Sequence, residues 1–288
     1  MRETIKLVIE EGIVKAVVTP VPPYLEGEYL VKANRVVLGP IDILLSMGLL
    51  SSKNMFIGSL ACGRVVEPQG IESGTRVYVH PKDPLSTPPL THDGVALGVF
   101  RAKNKILETP PHWVNYPEFS FLYSSAQNAL FECTGKILLV GGSGLHGLML
   151  QSILPEDSMV YCPEGRAHKK LRLLRKENIG KISWDTIVVW TIKQHVVCDV
   201  ITEIIKNEND PKLIVNPYAS LLLNLNTQRI VKKSMKVIVP WWKGELEAEL
   251  VRKMENETYK SGLLMRLRLD DLPAKVYSPY IVVEMCGN

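Results

Sequence analysis

A chain of 288 residues and 32.3 kDa exceeds the size at which one hydrophobic core usually stops growing, so two domains are expected. Hydrophobic residues make up 46% and charged residues 22%, proportions that exclude an intrinsically disordered chain. The 34 basic and 30 acidic residues leave a formal charge of +4, spread along the whole sequence, which excludes the electrostatic footprint of a nucleic-acid binder.

From Ile5 to Val79 the sequence runs in short Val- and Ile-rich stretches broken by Pro, Gly and acidic turns, the pattern of a β-rich domain. Strands are predicted at Ile13 to Val18, Tyr29 to Lys32, Ala61 to Val66 and Arg76 to Val79, with turns at Pro20 to Gly27 and Pro68 to Gly74. Pro81 to Pro89 carries four prolines and is expected as a surface loop. After Gly135 strands and helices alternate, which predicts parallel strands with helical crossovers. The strands are Lys136 to Val140, Met159 to Cys162, Thr186 to Trp190 and Leu213 to Val215. Helices are predicted from Gly147 to about Leu154, over Ala167 to Lys176, along Val197, Ile201, Ile204 and Ile205, and along Leu246, Leu250 and Met254. The third and last of these follow from apolar spacing alone. In the second, His168, Lys169, Lys170, Arg172, Arg175 and Lys176 form the solvated face, or else a patch that attracts phosphate.

Five cysteines, Cys62, Cys133, Cys162, Cys198 and Cys286, stand at wide intervals with no CxxC pair, as reduced thiols do in a cytosolic protein. Met1 to Gly12 lacks the apolar core of a signal peptide, and no apolar run reaches the roughly 18 residues needed to span a bilayer. The expectation is a soluble, cytoplasmic protein without a membrane partner.

The strongest motif is ILLVGGSGLHG, in which Gly142, Gly144 and Gly147 form GxGxxG between a strand and a helix. In a dinucleotide site the first glycine permits the tight turn, the second lets a pyrophosphate approach, and the third lets helix and strand pack closely. Helix N-terminal amides then hold the phosphate charge. Gly142, Ser143, Gly144, Leu145, His146 and Gly147 are therefore the candidate phosphate cradle. Glu164, 22 residues after Gly142, is placed to accept the ribose hydroxyls, while Arg166 with Lys169 is equally placed to receive a 2′-phosphate. NAD and NADP both stay open, as does a plain charged turn.

Landmarks of the amino-terminal half follow the order found in medium-chain dehydrogenases and their quinone-reductase relatives. EYLVK from Glu28, VLGPIDILLSMG from Val37 and IGSLACGRVVEPQG followed by GTRVYV, with Gly58, Gly63 and Gly74, resemble that family's strands and turns. DGVALGVF resembles the segment before the nucleotide half, and LDDLPAKVY, Leu269 to Tyr277, resembles the start of the terminal helix. The resemblance implies an α/β fold: an N-terminal GroES-like β-rich domain over residues 1–118, with 265–288 returning to it, and a Rossmann doubly wound parallel sheet over 119–264. Where zinc-dependent members carry metal-binding Cys and His, this chain has Leu38, Gly39 and Pro40, then Gly58, Ser59 and Leu60, and Ser120 to Asn128 offers neither residue type. No zinc is therefore expected.

The resemblance thus implies an NAD(P)H-dependent, zinc-independent oxidoreductase that transfers hydride to a small carbonyl, enone or quinone substrate, in a homodimer or homotetramer. The alternative is a degenerate relative that binds a nucleotide or a protein, its cleft filled by Trp190, Trp241 or Trp242. No catalytic residue is assigned. His80, His92, His112, His168 and His195 read as packing or surface residues, whereas His146 lies inside the glycine-rich turn, within reach of a phosphate. Asp42 reads as a turn or cap residue, Ser59 as a small buried hydroxyl, and Tyr123, Ser124 and Ser125 as residues before a helix, where serine caps.

Overall fold

The computed structural model describes residues 3–23, 25–50, 57–67, 71–81, 87–89, 94–165, 167–168, 170–204, 210–223, 236–241 and 245–285. The chain forms two compact units, one of Met1–Phe121 with Gly262–Asn288 and one of Leu122–Ser261.

The first unit opens with an antiparallel hairpin of β1 (Glu3–Glu10) and β2 (Ile13–Pro20). Its two-residue turn has Glu11 and Gly12 both at positive φ, the twist that matches a hairpin. Next come β3 (Glu28–Leu38), α1 (Pro40–Ser46), β4 (Leu60–Glu67), β5 (Arg76–Val79), β6 (Val99–Lys103) and β7 (Leu107–Glu108). β3 is the hub: it pairs antiparallel with β4 and β6, and a register shift at Ala33 to Arg35 bends it. Its inward residues Val31, Ala33, Val36 and Leu38 meet Val65, Val77, Val79 and Phe100 in one apolar core. The described residues of the proline-rich stretch, Pro81 and Thr87 to Pro89, are buried, so these prolines pack rather than lie on the surface.

The second unit begins along α2 (Ser120–Glu132) and continues through β8 (Ile137–Gly141), α3 (Leu145–Ile153), β9 (Met159–Tyr161), β10 (Arg172–Leu173), β11 (Thr186–Trp190), α4 (Gln194–Ile204), β12 (Lys212–Val215), α5 (Pro217–Leu222), β13 (Val237–Ile238) and α6 (Ala248–Lys260). Its strands form one parallel sheet in the order β10-β9-β8-β11-β12-β13. The chain winds outward from β8 through β9 to β10, then crosses back to β11 and winds the other way. The order reverses between β8 and β11, and the carboxyl ends of strands at such a switch point form the crevice where doubly wound sheets bind ligands. β8 and β11 are buried along their whole length, which is why their sequences are continuous apolar runs.

The described residues of the predicted helix at 167–176 form no α-helix. Arg172 and Leu173 pair with β9 as an edge strand, and a 3₁₀ turn follows over Lys176–Lys181. The His168 amide donates to the Gln151 side chain and the Leu174 amide to the Val160 carbonyl, so amides that a helix would need are taken by partners distant in sequence. Leu171 and Leu174 are still buried, from an extended segment.

The chain then returns to the first unit as β14 (Leu264–Arg268), β15 (Ala274–Lys275) and β16 (Tyr280–Glu284). β16 lies between β14 and β3, and β15 adds to β2. Leu269 opens a 3₁₀ turn of three residues, where the resemblance implied the start of a terminal helix. Among the described residues no helix is long and apolar enough to cross a membrane.

Asp42 ties α1 to the start of β4. Its fully buried carboxylate accepts the amides of Gly39 and Gly58, both at 2.7 Å, and the Ser59 hydroxyl at 2.6 Å. Burial raises its pKa against these donors, which act in the opposite direction. Asp42→Ala strands two buried amides, each worth about 1–3 kcal/mol when unmet. The variant is expected to unfold at clearly lower urea concentration with an unchanged m value; an unchanged midpoint would show that Asp42 is dispensable.

Candidate functional site: a glycine-rich turn at the sheet switch point

The turn after β8 holds three glycines for three different reasons. Gly142 has φ +87°, a left-handed conformation that a side chain disfavours. Gly147 lies so close to Gly142 that a Cβ on it would run into the Gly142 backbone. Gly144 has neither constraint: its φ of −83° and ψ of 172° suit any residue, and a Cβ there would meet nothing within 4 Å. The absence of a side chain at 144 is thus required neither by the backbone nor by packing.

Gly144 is also the N-cap of α3, and no side chain caps this helix. The first intrahelical bond runs from the Leu148 amide to the Gly144 carbonyl at 2.9 Å, so the amides of Leu145, His146 and Gly147 lie ahead of the helical ladder and carry the positive end of its dipole. Gln151 stiffens the turn by donating to the Gly142 carbonyl at 2.8 Å.

Ser143 and Glu164 come together, the serine hydroxyl donating to Oε2 at 3.4 Å. The same oxygen accepts the Cys162 thiol at 3.1 Å, and the Lys193 ammonium pairs with Oε1. The lysine, foremost, holds the Glu164 carboxyl down at about 2, so it is ionised at neutral pH. Arg166, the other candidate for the ribose end, lies outside the described residues, as do Lys169 and Trp242.

The His146 side chain is turned inward, away from any role at a phosphate. Only 6% exposed, it packs edge-on against Trp190 with ring centroids 4.9 Å apart. Asn216 uses Oδ1 to cap α5 at the amides of Tyr218 and Ala219, which leaves its Nδ2 to donate to His146 Nδ1 at 3.1 Å. Nε2 therefore carries the proton and faces the Leu122 carbonyl at 3.1 Å and Ser125 Oγ at 2.9 Å. What His146 offers the turn is its backbone amide. Ser124 and Ser125 lie within α2 rather than capping it, and Ser125 serves this internal network.

Lys193, Cys162, Gln151, Asn216 and Ser125 escape a reading by motif. The first two and Asn216 sit just beyond the carboxyl ends of β11, β9 and β12, where a parallel sheet gathers residues distant in sequence. Strand position was the one available signal. In the first unit, Gly39, Ser59 and Leu60 supply no metal ligand at the positions the resemblance assigns to one, and Asp42 is engaged by Gly39, Gly58 and Ser59.

No protein-family profile matches the chain, and no curated protein matches it in sequence. Solved structures match over nearly its whole length. An alcohol dehydrogenase from E. coli CFT073, described as short-chain and crystallised with NADH, is 14% identical with a TM-score of 0.64, covering 99% of this chain and 100% of that one. Galactitol-1-phosphate dehydrogenase from Escherichia coli is 13% identical with a TM-score of 0.65, covering 97% and 99%. The yhdH oxidoreductase from Salmonella enterica, in complex with NADP, is 14% identical with a TM-score of 0.62, covering 99% and 100%. The fold is therefore the GroES-like plus Rossmann architecture of these dehydrogenases.

Burial pushes the His146 pKa down to about 3, and protonation at Nδ1 would set it against the Asn216 donor. An unfolded chain takes up this proton near pH 6.5, whereas the folded one refuses it until about 3. The stability His146 contributes is thus complete above pH 6.5 and is lost as pH falls toward 3, at up to about 1.4 kcal/mol per pH unit. Urea midpoints of the wild type and His146→Gln, compared from pH 7 to about 4.5, are expected to converge as the pH falls; a constant gap would contradict the assignment.

Proposed function

We propose that the protein is a nicotinamide-dinucleotide-dependent oxidoreductase. The observation that carries this reading is Gly144, a glycine that neither backbone conformation nor packing demands, at the uncapped start of α3. A bulky anion lying against that backbone supplies the missing reason. The residues fit a dinucleotide: Gly142 to Gly147 would hold its pyrophosphate through backbone amides and the Ser143 hydroxyl, and Glu164 would face its adenosine ribose. An ionised Glu164 accepts ribose hydroxyls and repels a 2′-phosphate, whereas the Lys193 ammonium attracts one. When bound, the nicotinamide would supply hydride chemistry, and the protein would supply orientation and exclusion of water.

The proposed substrate is a small carbonyl, enone or quinone compound reduced without zinc. Gly39, Ser59 and Leu60 support this, since none is a side chain that would complete a zinc site. Trp190 favours a second reading, a nucleotide-binding module without turnover, because a bulky indole stands at the carboxyl end of β11 beside Gly141, at the switch point.

Titration with NADH and NADPH, followed by nicotinamide emission and tryptophan quenching, tests the proposal. One form is expected to bind in the micromolar range, and Gly144→Val to weaken it by about tenfold or more while the variant stays folded by circular dichroism. Gly147→Ala is expected to lower stability by about 1–3 kcal/mol through overpacking, read as a lower urea midpoint. Failure of both nucleotides to bind at millimolar concentration would overturn the proposal. Binding without oxidation of the nucleotide by any of a set of quinones, enones and aldehydes would select the second reading.

A further inference from the structure

The first unit holds a polar cavity of about 240 Å³, lined by Arg35, Arg64, Arg76, Cys62, Asn115 and Glu284 among others. Its charges are unevenly met. Arg35 is committed: its Nη1 lies 3.3 Å from Oε1 of buried Glu118, and its Nε lies 3.8 Å from Glu284. Arg64 makes a bond to a neutral group, the Gly74 carbonyl, at 2.9 Å, and among the described residues no carboxylate pairs with Arg64 or Arg76. Among the described residues, the cavity wall therefore carries more positive charge than carboxylates balance.

Register makes the imbalance sharper. Lys32 on β3 stands directly opposite Arg64 on β4, and Arg64 stands directly opposite Arg76 on β5. Like charges facing each other across a sheet are destabilising, so this cationic row across three strands lowers stability unless an anion sits on it. Arginine's planar fork matches the oxygens of phosphate and related oxyanions. Cys62 does not compete as an anion, because burial pushes its thiol up to about 12.

We propose that this cavity binds a phosphate-type oxyanion through Arg64 and Arg76, with Arg35 held behind them by Glu118 and Glu284. The volume of about 240 Å³ falls just below the roughly 300–1,000 Å³ of drug-sized ligand pockets and suits a free phosphate or the phosphate of a small ester. The site lies wholly within the first unit and is independent of the glycine-rich turn.

Isothermal titration of the full chain with inorganic phosphate, glycerol 3-phosphate and glycerol tests it. Saturable one-site binding of the two phosphates and none of glycerol is expected, weaker at higher salt. Tighter binding of glycerol 3-phosphate identifies an ester as the ligand, and equal binding identifies free phosphate. R64Q/R76Q is expected to lose about tenfold or more in affinity, and R64K/R76K, which keeps the charge without the fork, to lose less. Circular dichroism establishes that both variants are folded, and the lysine pair alone decides if the glutamine pair is not. G144V is expected to bind phosphate as the wild type does. Absence of phosphate binding, indifference to both arginine pairs, or loss in G144V would overturn the proposal, the last by moving the phosphate to the glycine-rich turn.

Discussion

The contact between Gly147 and the Gly142 backbone sets the geometry of the second unit. Because neither residue carries a side chain, the first turn of α3 rests directly on the turn leaving β8. That approach fixes the helix N-terminus at the carboxyl end of the central strand, and everything proposed for the turn depends on it. Gln151 reinforces the arrangement from within α3, with one end of its amide on the Gly142 carbonyl and the other on the His168 amide. The turn and the segment after β9 are thereby held by one side chain.

Each unit ties particular buried polar groups into an internal network and leaves other donors outside it. In the second unit, His146, Asn216 and Ser125 close a network among themselves and the Leu122 carbonyl, while the amides ahead of α3 are left out of it. In the first, Asp42 absorbs the donors of Gly39, Gly58 and Ser59, and Glu118 absorbs Arg35, while Arg64 and Arg76 keep charge that no described carboxylate offsets. A buried network of this kind gives rigidity, and the unspent donors at its margin are where an external anion gains most.

Much of this was legible in the sequence wherever local pattern and burial agree. Thr186 to Trp190 and Arg76 to Val79 are strands with the expected bounds, because each is built on a short apolar run whose consecutive residues are buried. Asp42 as a turn or cap residue was equally legible, from an acid two residues after a proline that starts a helix. Pattern failed where distant partners decide. Ala167, Leu171 and Leu174 have helical spacing, yet Gln151 and Val160 claim the amides of His168 and Leu174. The inward turn of the His146 ring rests on Asn216, 70 residues away, and the lowered pKa of Glu164 rests on Lys193, 29 residues away. Neither partner belongs to a motif; only the convergence of parallel strand ends joins them.

The central claim is that the Gly142 to Gly147 backbone is shaped for a dinucleotide pyrophosphate. Amide hydrogen exchange of the full chain, with and without saturating NADH or NADPH, tests it most directly. Slower exchange is expected at the amides of Gly144, Leu145, His146 and Gly147 when the bound form is present. Binding that leaves these four amides exchanging at their free rate would contradict the account.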